Sequence, residues 1–290
     1  MPISVRYDFE FIKYEGCGND FILKDELDGP TTPDRDRSKL AMRLCDRHFA
    51  IGGHGILFID NAKSVDGSMR LFEPDGGEAD MCGNGIRCVA AYLMEKLGKR
   101  EVDILTRDGV KHALLAGTDY RVDMGHVRYS RRDLQKYFTD KGKSSDPLLD
   151  IQLQIGDKEH RASLMNSGEP HLVVLTTDTA AVDITGAGEA VNGDRRRFPR
   201  GVNINFVNLA GANKLKMRTY ERGVFGECLA CGTGAVASAV AMQRLGRLRQ
   251  GTTQVIMLGG TVKVDVDPEG NAVMTGPAKK VFEGKLSIDI

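Results

Sequence analysis

The pattern of apolar and polar positions predicts strands joined by turns, with few strong helices. Residues 102–105, 251–257 and 261–266 are β-rich runs bounded by turn residues, and each predicts a strand. Residues 38–47 predict a helix, because Leu40, Ala41, Leu44 and Cys45 fall on one face. Two further helices are expected over 86–93 and 235–242, where small apolar residues mix with good helix formers. The most apolar helical stretch, 234–242, is far too short to cross a bilayer. Residues 129–146 are polar and charged, and are expected to join two lobes.

The two apolar helices share one way of starting. Met81-Cys82-Gly83-Asn84-Gly85 opens the first, and Ala230-Cys231-Gly232-Thr233-Gly234 opens the second. The cysteines lie 149 residues apart, about half of the chain. Upstream landmarks recur in the same order. Asn19, in Gly18-Asn19-Asp20-Phe21, lies 63 residues before Cys82, and Glu169, in Gly168-Glu169-Pro170-His171, lies 62 before Cys231. A glycine turn running into a β-rich strand follows each, at 50–59 and 198–207. Glu73 and Glu221 then stand nine and ten residues before their cysteines. This order predicts a duplicated architecture: a first lobe over 1–128 carrying Cys82 and a second over 129–279 carrying Cys231. The segment from about 280 to 290 has no counterpart in the repeat, and is expected to return to the first lobe.

Composition narrows the function classes. Forty basic residues balance forty acidic ones, so no global field recruits nucleic acid or an anionic membrane. The run Arg195-Arg196-Arg197 with Arg200 lacks the aromatic interleaving of a nucleic-acid groove and reads as a solvated loop. Residues 1–13 contain no apolar core of a signal peptide, so a cytoplasmic location is expected. Six cysteines in 290 residues do not make a disulfide scaffold; reduced thiols are expected. Glycine is enriched, at 34 residues against about 7% in an average chain. Many of these glycines flank Cys or Asn, where backbone can approach a ligand closely.

In Cys-Gly-x-Gly at a helix start, exposed N–H groups and the helix dipole make an anion site. The same position lowers a thiol pKa. Two such elements suit stereoinversion at carbon: one thiolate removes a proton and the opposite thiol delivers one to the other face. The paired helix N-termini can stabilise charge developing on an adjacent carboxylate without pyridoxal phosphate. Cys88 sits inside its helix and is expected in the core, and Cys17 and Cys45 are likewise expected to be structural. Cys228-Leu229-Ala230-Cys231 is formally C-x-x-C, but no second pair completes a zinc set, so no metal is expected.

These motifs resemble the diaminopimelate epimerase family, above all Met-Cys-Gly-Asn-Gly-Ile-Arg-Cys and Glu-Arg-Gly…Ala-Cys-Gly-Thr-Gly. The resemblance implies an α/β fold of two pseudo-symmetric lobes, each a β-barrel-like sheet around a central helix, with the active site in the cleft between them. It implies an isomerase that needs no cofactor or metal, acts on a small-molecule amino acid and forms a homodimer. Cys82 and Cys231 become the acid–base pair, and Gly83, Asn84, Gly232 and Thr233 the cradle for the α-carboxylate. Asn19 and Asn203 match substrate-contacting asparagines, while Glu221 and Arg222 match residues that meet the distal ammonium and carboxylate.

The chain departs from the family pattern at three positions. Glu73 and Glu169 stand where the family usually has Asn on the side that grips the distal carboxylate, and His54 replaces an acidic residue. A carboxylate facing another at ~4 Å costs about 1 kcal/mol in water and about 4 at an effective dielectric of 20. LL-/meso-diaminopimelate epimerisation, racemisation of a basic amino acid (lysine, ornithine, arginine or histidine), and a catalytically silent amino-acid-binding role therefore all stand as readings of the sequence.

Overall fold

The computed structural model describes residues 6–289, so the first five residues of the N-terminal segment discussed above lie outside it. The chain forms two compact units, one of residues up to Val122 plus those from Gly276 onward, the other of Asp123–Thr275. The first unit contains β1 (Arg6–Gly16), β2 (Asn19–Glu26), α1 (Asp34–Leu44), β3 (Ile56–Asp60), β4 (Gly67–Phe72), β5 (Glu78–Ala79), α2 (Gly83–Leu97), β6 (Glu101–Thr106) and β7 (Gly109–Ala116). The chain passes to the second unit within β8 (Asp119–His126). There it forms α3 (Arg131–Leu134), β9 (Ile151–Ile155), β10 (Lys158–Asn166), β11 (Pro170–Leu175), α4 (Ile184–Gly193), β12 (Asn203–Leu209), β13 (Lys214–Glu221) and β14 (Gly226–Cys228). It continues through α5 (Gly232–Arg244), β15 (Gly251–Met257), β16 (Gly260–Val266) and β17 (Asn271–Gly276), and β18 (Lys279–Asp289) ends it.

Strand pairing repeats between the units. In the first, β1–β2 is antiparallel, β2–β3 parallel across the α1 crossover, β3–β4 and β4–β5 antiparallel, β4–β6 parallel and β6–β7 antiparallel. In the second, β10–β11 is antiparallel, β11–β12 parallel across α4, β12–β13 and β13–β14 antiparallel, β13–β15 parallel and β15–β16 antiparallel. The outer flanks match as well. β18 pairs antiparallel with β1 in the first unit, and β9 with β10 in the second.

In each unit the strands wrap one helix. α2 touches β1, β2, β3, β4, β6, β7 and β18, and α5 touches β10, β11, β12, β13, β15 and β16. Both helices therefore bury most of their length: α2 from Gly83 to Ala91 with only its last residues, from Glu95, exposed, and α5 from Gly232 through Met242. Ile86, Val89 and Leu93 of α2 have no exposed surface, and burial of each such side chain contributes about 1.5–3 kcal/mol. Among the described residues, no helix is long and apolar enough to cross a membrane.

Three elements differ from the sequence reading. α1 begins at Asp34, because Pro33 fixes the entry backbone and Asp34 and Asp36 suit the positive end of the helix. It stops at Leu44, where the Asp46 carboxylate takes the N–H groups of His48 and Phe49 and favours a turn. α4 has no counterpart among the helices expected from the sequence, and its three glycines give it weak helix propensity. A Cβ at Gly188 would lie 2.2 Å from the Tyr220 ring, so that glycine permits close packing of the helix on β13. Within the polar stretch 129–146, Leu134, Tyr137 and Phe138 are buried in the second unit's core. Three apolar anchors among many charges leave little periodic signal.

Candidate active site

In the first unit Cys82 is the N-cap of α2, with extended backbone (φ −141°, ψ 115°). Its sulfur accepts the Gly85 N–H at 3.3 Å. A Cβ on Gly85 would lie 3.4 Å from that sulfur and 3.1 Å from Leu57, so the second glycine of the motif is what lets the amide approach. Cys82 is half-buried, while Gly83 and Asn84 are buried.

Beneath this turn lies Arg87, which has no exposed surface. Its guanidinium donates to the Gly83 carbonyl (3.1 Å), the Asn84 Oδ1 (2.9 Å), the Pro277 carbonyl (3.0 Å) and the Cys17 sulfur (3.8 Å). The fork thus fixes both the backbone and the side chain of the turn. Gly16 packs against Arg87 and Asn84, and pairs across the β1–β2 hairpin with Asn19. Asn19 is 3% exposed, and its Oδ1 has no hydrogen-bond partner among the described residues. A buried, unanswered acceptor suits a ligand N–H donor. Glu73 is half-buried in the turn after β4, its N–H bonded to the Gly77 carbonyl at 2.8 Å. His54 is engaged with Asp20, which also pairs with Lys13 (2.7 Å) and Arg47 (2.6 Å). Burial opposes ionisation of Asp20, yet hydrogen bonds from His54, Arg47 and Lys13 hold its carboxyl well below the usual range.

The second unit repeats the cap. Cys231 precedes α5 with φ −135° and ψ 110°, and its sulfur accepts the Gly234 N–H at 3.4 Å. The Thr233 hydroxyl lies 3.5 Å from the same sulfur. Behind it runs a buried chain of hydrogen bonds. The Thr219 hydroxyl donates to Asn205 Oδ1 (2.9 Å), and Asn205 Nδ2 meets His171 Nδ1 at 3.0 Å. His171 Nε2 meets Thr233 Oγ1 at 2.9 Å. With the Asn205 amide oriented by Thr219, Nδ1 of His171 is an acceptor and Nε2 carries the proton. Thr233 accepts that proton, leaving its own O–H to donate to sulfur. Burial, reinforced by the charge of Arg222, pushes the His171 pKa down to about 3, so the imidazole is neutral.

The expectation that the helix terminus lowers the thiol pKa is overturned at Cys231. Burial, followed by the Glu221 carboxylate, pushes this thiol well above its ordinary value, against Thr233 and Gly234. Cys231 is only 4% exposed, and desolvation of an anion outweighs two hydrogen-bond donors. Cys228 donates to Glu221 at 3.2 Å. Cys17, Cys45 and Cys88 are buried as expected, and burial raises each thiol.

Arg222 forms an ion pair with Glu169 at 2.6 Å. Its backbone N–H donates to Asn203 Oδ1 at 2.9 Å, and its guanidinium also donates to the Arg200 carbonyl at 3.0 Å. The Ser167 hydroxyl, two residues before Glu169, donates to the Thr233 carbonyl at 2.8 Å. Glu169, Asn203, Glu221, Arg222, Gly232 and Thr233 are thereby tied to the Cys231 turn, as Asn19, Gly83 and Asn84 are to that of Cys82. Sequence reasoning gave no role to Arg87, His171, Asn205 or Thr219. The one signal was that Arg87, His171 and Asn205 lie inside segments already singled out.

The diaminopimelate epimerase family model matches residues 11–130 and 163–281, one block in each half. A diaminopimelate epimerase of Methanothrix thermoacetophila is 38% identical over 287 residues, covering 97% of both chains. One of Methanocella arvoryzae is 36% identical over 295 residues, again covering 97% of both. A solved hydroxyproline epimerase from Agrobacterium vitis, with trans-4-hydroxy-L-proline bound, has the same fold, with TM-score 0.73 and 16% identity over 99% of this chain and 95% of that one. The doubled Cys-Gly-x-Gly caps and these full-length matches place the chain in the diaminopimelate epimerase family.

Proposed function

We propose that this protein is a cofactor-independent epimerase that interconverts LL- and meso-diaminopimelate, with Cys82 and Cys231 as its two bases. The carrying observation is the duplicated cap, in which each cysteine sulfur accepts the N–H of the motif's second glycine. One sulfur, as thiolate, takes the α-proton, and the other, as thiol, protonates the opposite face. Burial and Glu221 favour the thiol at Cys231, which makes it the proton donor of the resting enzyme. Once Cys231 has given up its proton, the Gly234 N–H and the Thr233 hydroxyl stabilise the sulfur anion.

The first-turn N–H groups at Gly83-Asn84 and Gly232-Thr233 bind the α-carboxylate, where charge grows as the proton leaves. The unanswered Asn19 Oδ1 supports a role in holding the α-ammonium. Asn203, Glu221 and Arg222, with Glu73 and Glu169, complete the substrate contacts. Racemisation of a basic amino acid loses part of its motive, because the Glu169 charge is already matched by Arg222.

We further assign the protein to the cytoplasm, where its six free cysteines would stay reduced. We assign it a homodimeric state, supported by Val281 and Phe282, about half exposed on β18; a monomer in sedimentation at micromolar concentration would refute the dimer.

Incubation in D₂O with LL-diaminopimelate tests the activity. Deuterium entry at the α-carbon with inversion to the meso form is expected, and Cys82→Ser or Cys231→Ser should each abolish inversion while leaving the fold intact. Absence of exchange with diaminopimelate, or full activity of either variant, refutes the mechanism.

A further inference from the structure

In each unit the segment that enters the cysteine cap is reached by the turn of the hairpin after the core helix, β6–β7 in the first and β15–β16 in the second. In the second unit the Gly259 N–H, in that turn, donates to the Leu229 carbonyl at 2.8 Å, two residues before Cys231. In the first unit a side chain makes the same reach. Arg107, in the β6–β7 turn, donates from Nε to Asp80 Oδ1 at 2.9 Å, again two residues before the cysteine. Its Nη1 donates to Glu78 Oε2 at 3.1 Å. Glu78 is anchored in turn on β4, where Arg70 Nε and Nη2 reach its two oxygens at 2.6 and 3.0 Å. The Arg70 guanidinium lies 5.1 Å from the Phe72 ring. The backbone of the β6–β7 turn is closed as well: the Thr106 hydroxyl donates to the Gly109 carbonyl at 2.7 Å and accepts the Asp108 N–H at 3.2 Å. A chain of alternating charge thus runs from Arg70 through Glu78 and Arg107 to Asp80.

We propose that Arg107 is a positioning residue for Cys82: acting through Asp80, it holds the segment that delivers the sulfur to the N-terminus of α2. The inference rests on the reading of Cys82 as one of the two bases. Arg107 touches no reacting atom in this role. A displaced sulfur raises the barrier to proton transfer while ground-state binding is kept, so kcat falls and KM does not. The size follows from exposure. The Arg107 side chain is 53% exposed and that of Asp80 42%, so the brace has the strength of an exposed ion pair, a factor of about two to five. Such a pair is screened by salt. The backbone bond from Gly259 to Leu229 joins neutral groups, so salt should loosen the Cys82 cap and spare the Cys231 cap.

Amide hydrogen exchange on the full-length protein, read in peptides covering 80–86 and 229–235, tests the brace without reference to activity. In Arg107→Gln, exchange over 80–86 should accelerate about two- to fivefold and that over 229–235 should stay unchanged. The kcat for diaminopimelate should fall over the same range at constant KM. Asp80→Asn should reproduce both effects, and the double variant should go no further than either single one. Sodium chloride at about 1 M, where charges are screened beyond about 3 Å, should accelerate 80–86 in the unsubstituted protein and leave the double variant unmoved. A change below twofold over 80–86, equal acceleration of both peptides, or effects that multiply in the double variant overturns the proposal. So does faster exchange with kcat intact, or a rise in KM in place of the fall in kcat. Should Arg107→Gln not fold, Asp80→Asn is read by the same limits. If the unsubstituted protein does not turn over diaminopimelate, the epimerase reading fails, and the exchange and salt measurements decide the brace alone.

Discussion

Thr233→Val tests the direction of the buried hydrogen-bond chain. The substitution keeps the branched shape and removes the hydroxyl that accepts from His171 and faces the Cys231 sulfur at 3.5 Å. Two effects separate. The His171 N–H loses its acceptor in a site with no exposure, which costs about 1–3 kcal/mol of stability. The Cys231 anion loses a charge-assisted donor, worth about 1.5–3 kcal/mol. At about 1.4 kcal/mol per pH unit, that is an upward move of about one to two units in the titration of the sulfur; the long contact favours the lower end. The assay is the pH dependence of Cys231 alkylation by iodoacetamide in a Cys82→Ser background, with the site identified by peptide mass spectrometry. Turnover alone discriminates poorly, because the Haldane relation makes kcat/KM fall equally in both directions. Thr233→Ser should restore the original profile. If the Val variant's profile overlays that of the parent, the hydroxyl does not donate to sulfur and the assigned tautomer of His171 is wrong.

Stability should fall on mild acidification because of His171. Its folded pKa is about 3, through burial and then the Arg222 charge, while an unfolded histidine titrates near ~6.5. Between these values only the unfolded chain takes the proton, so the full stability present above pH ~6.5 is lost at about 1.4 kcal/mol per unit as pH falls towards 3. Urea midpoints between about pH 6.5 and 4.5 read this slope above the carboxylate range; an equal slope in His171→Gln would exclude the imidazole as its source. Gly188→Ala should destabilise by about 1–3 kcal/mol, because its methyl meets the Tyr220 ring. Gly193→Ala, with nothing within 4 Å, should be neutral or stabilising, and a melting-temperature rise in the Gly188 variant would contradict the packing argument.

The duplicated architecture was legible because its signal is local and doubled. Cys-Gly-x-Gly needs only a tight turn and a helix start, both written in adjacent residues, and the repeated order of landmarks carries the topology. The strands at 102–105, 251–257 and 261–266 were legible for the same reason. What stayed hidden depends on register. His171 pairs with Asn203 on the parallel strand, and Val173 with Asn205. The Asn205 amide nevertheless reaches back to the imidazole, a contact between residues 34 positions apart with no spacing rule. Likewise, the helix dipole at Cys231 could be read from sequence, but the burial that overrules it could not. Pairing with Arg222 was one of the ways the sequence left open to balance Glu169, and only the structure could choose it, because the two residues stand 53 positions apart.

The two half-sites keep one feature alike and let another differ, and the proposed chemistry gives a reason for both. In each turn the residue between the motif's glycines is held from below by a buried basic side chain at 2.9 Å: Asn84 by Arg87, and Thr233 by His171. The donors differ in charge. Arg87 is a permanent cation, whereas His171 is neutral and the Cys231 turn has the Glu221 carboxylate beside it. The position that matches Arg87, five residues after the cysteine, is Val236. A two-base reaction proceeds only when the two sulfurs share one proton, and it is lost when both are thiols or both are thiolates. The pH interval of that mixed state is bounded by two macroscopic titrations, so a setting that pushes Cys231 up extends the interval at its upper end. On the proposed mechanism, like backbone caps position the two sulfurs, and the burial and the Glu221 carboxylate that hold the proton on Cys231 suit a pair that must carry one proton at a time.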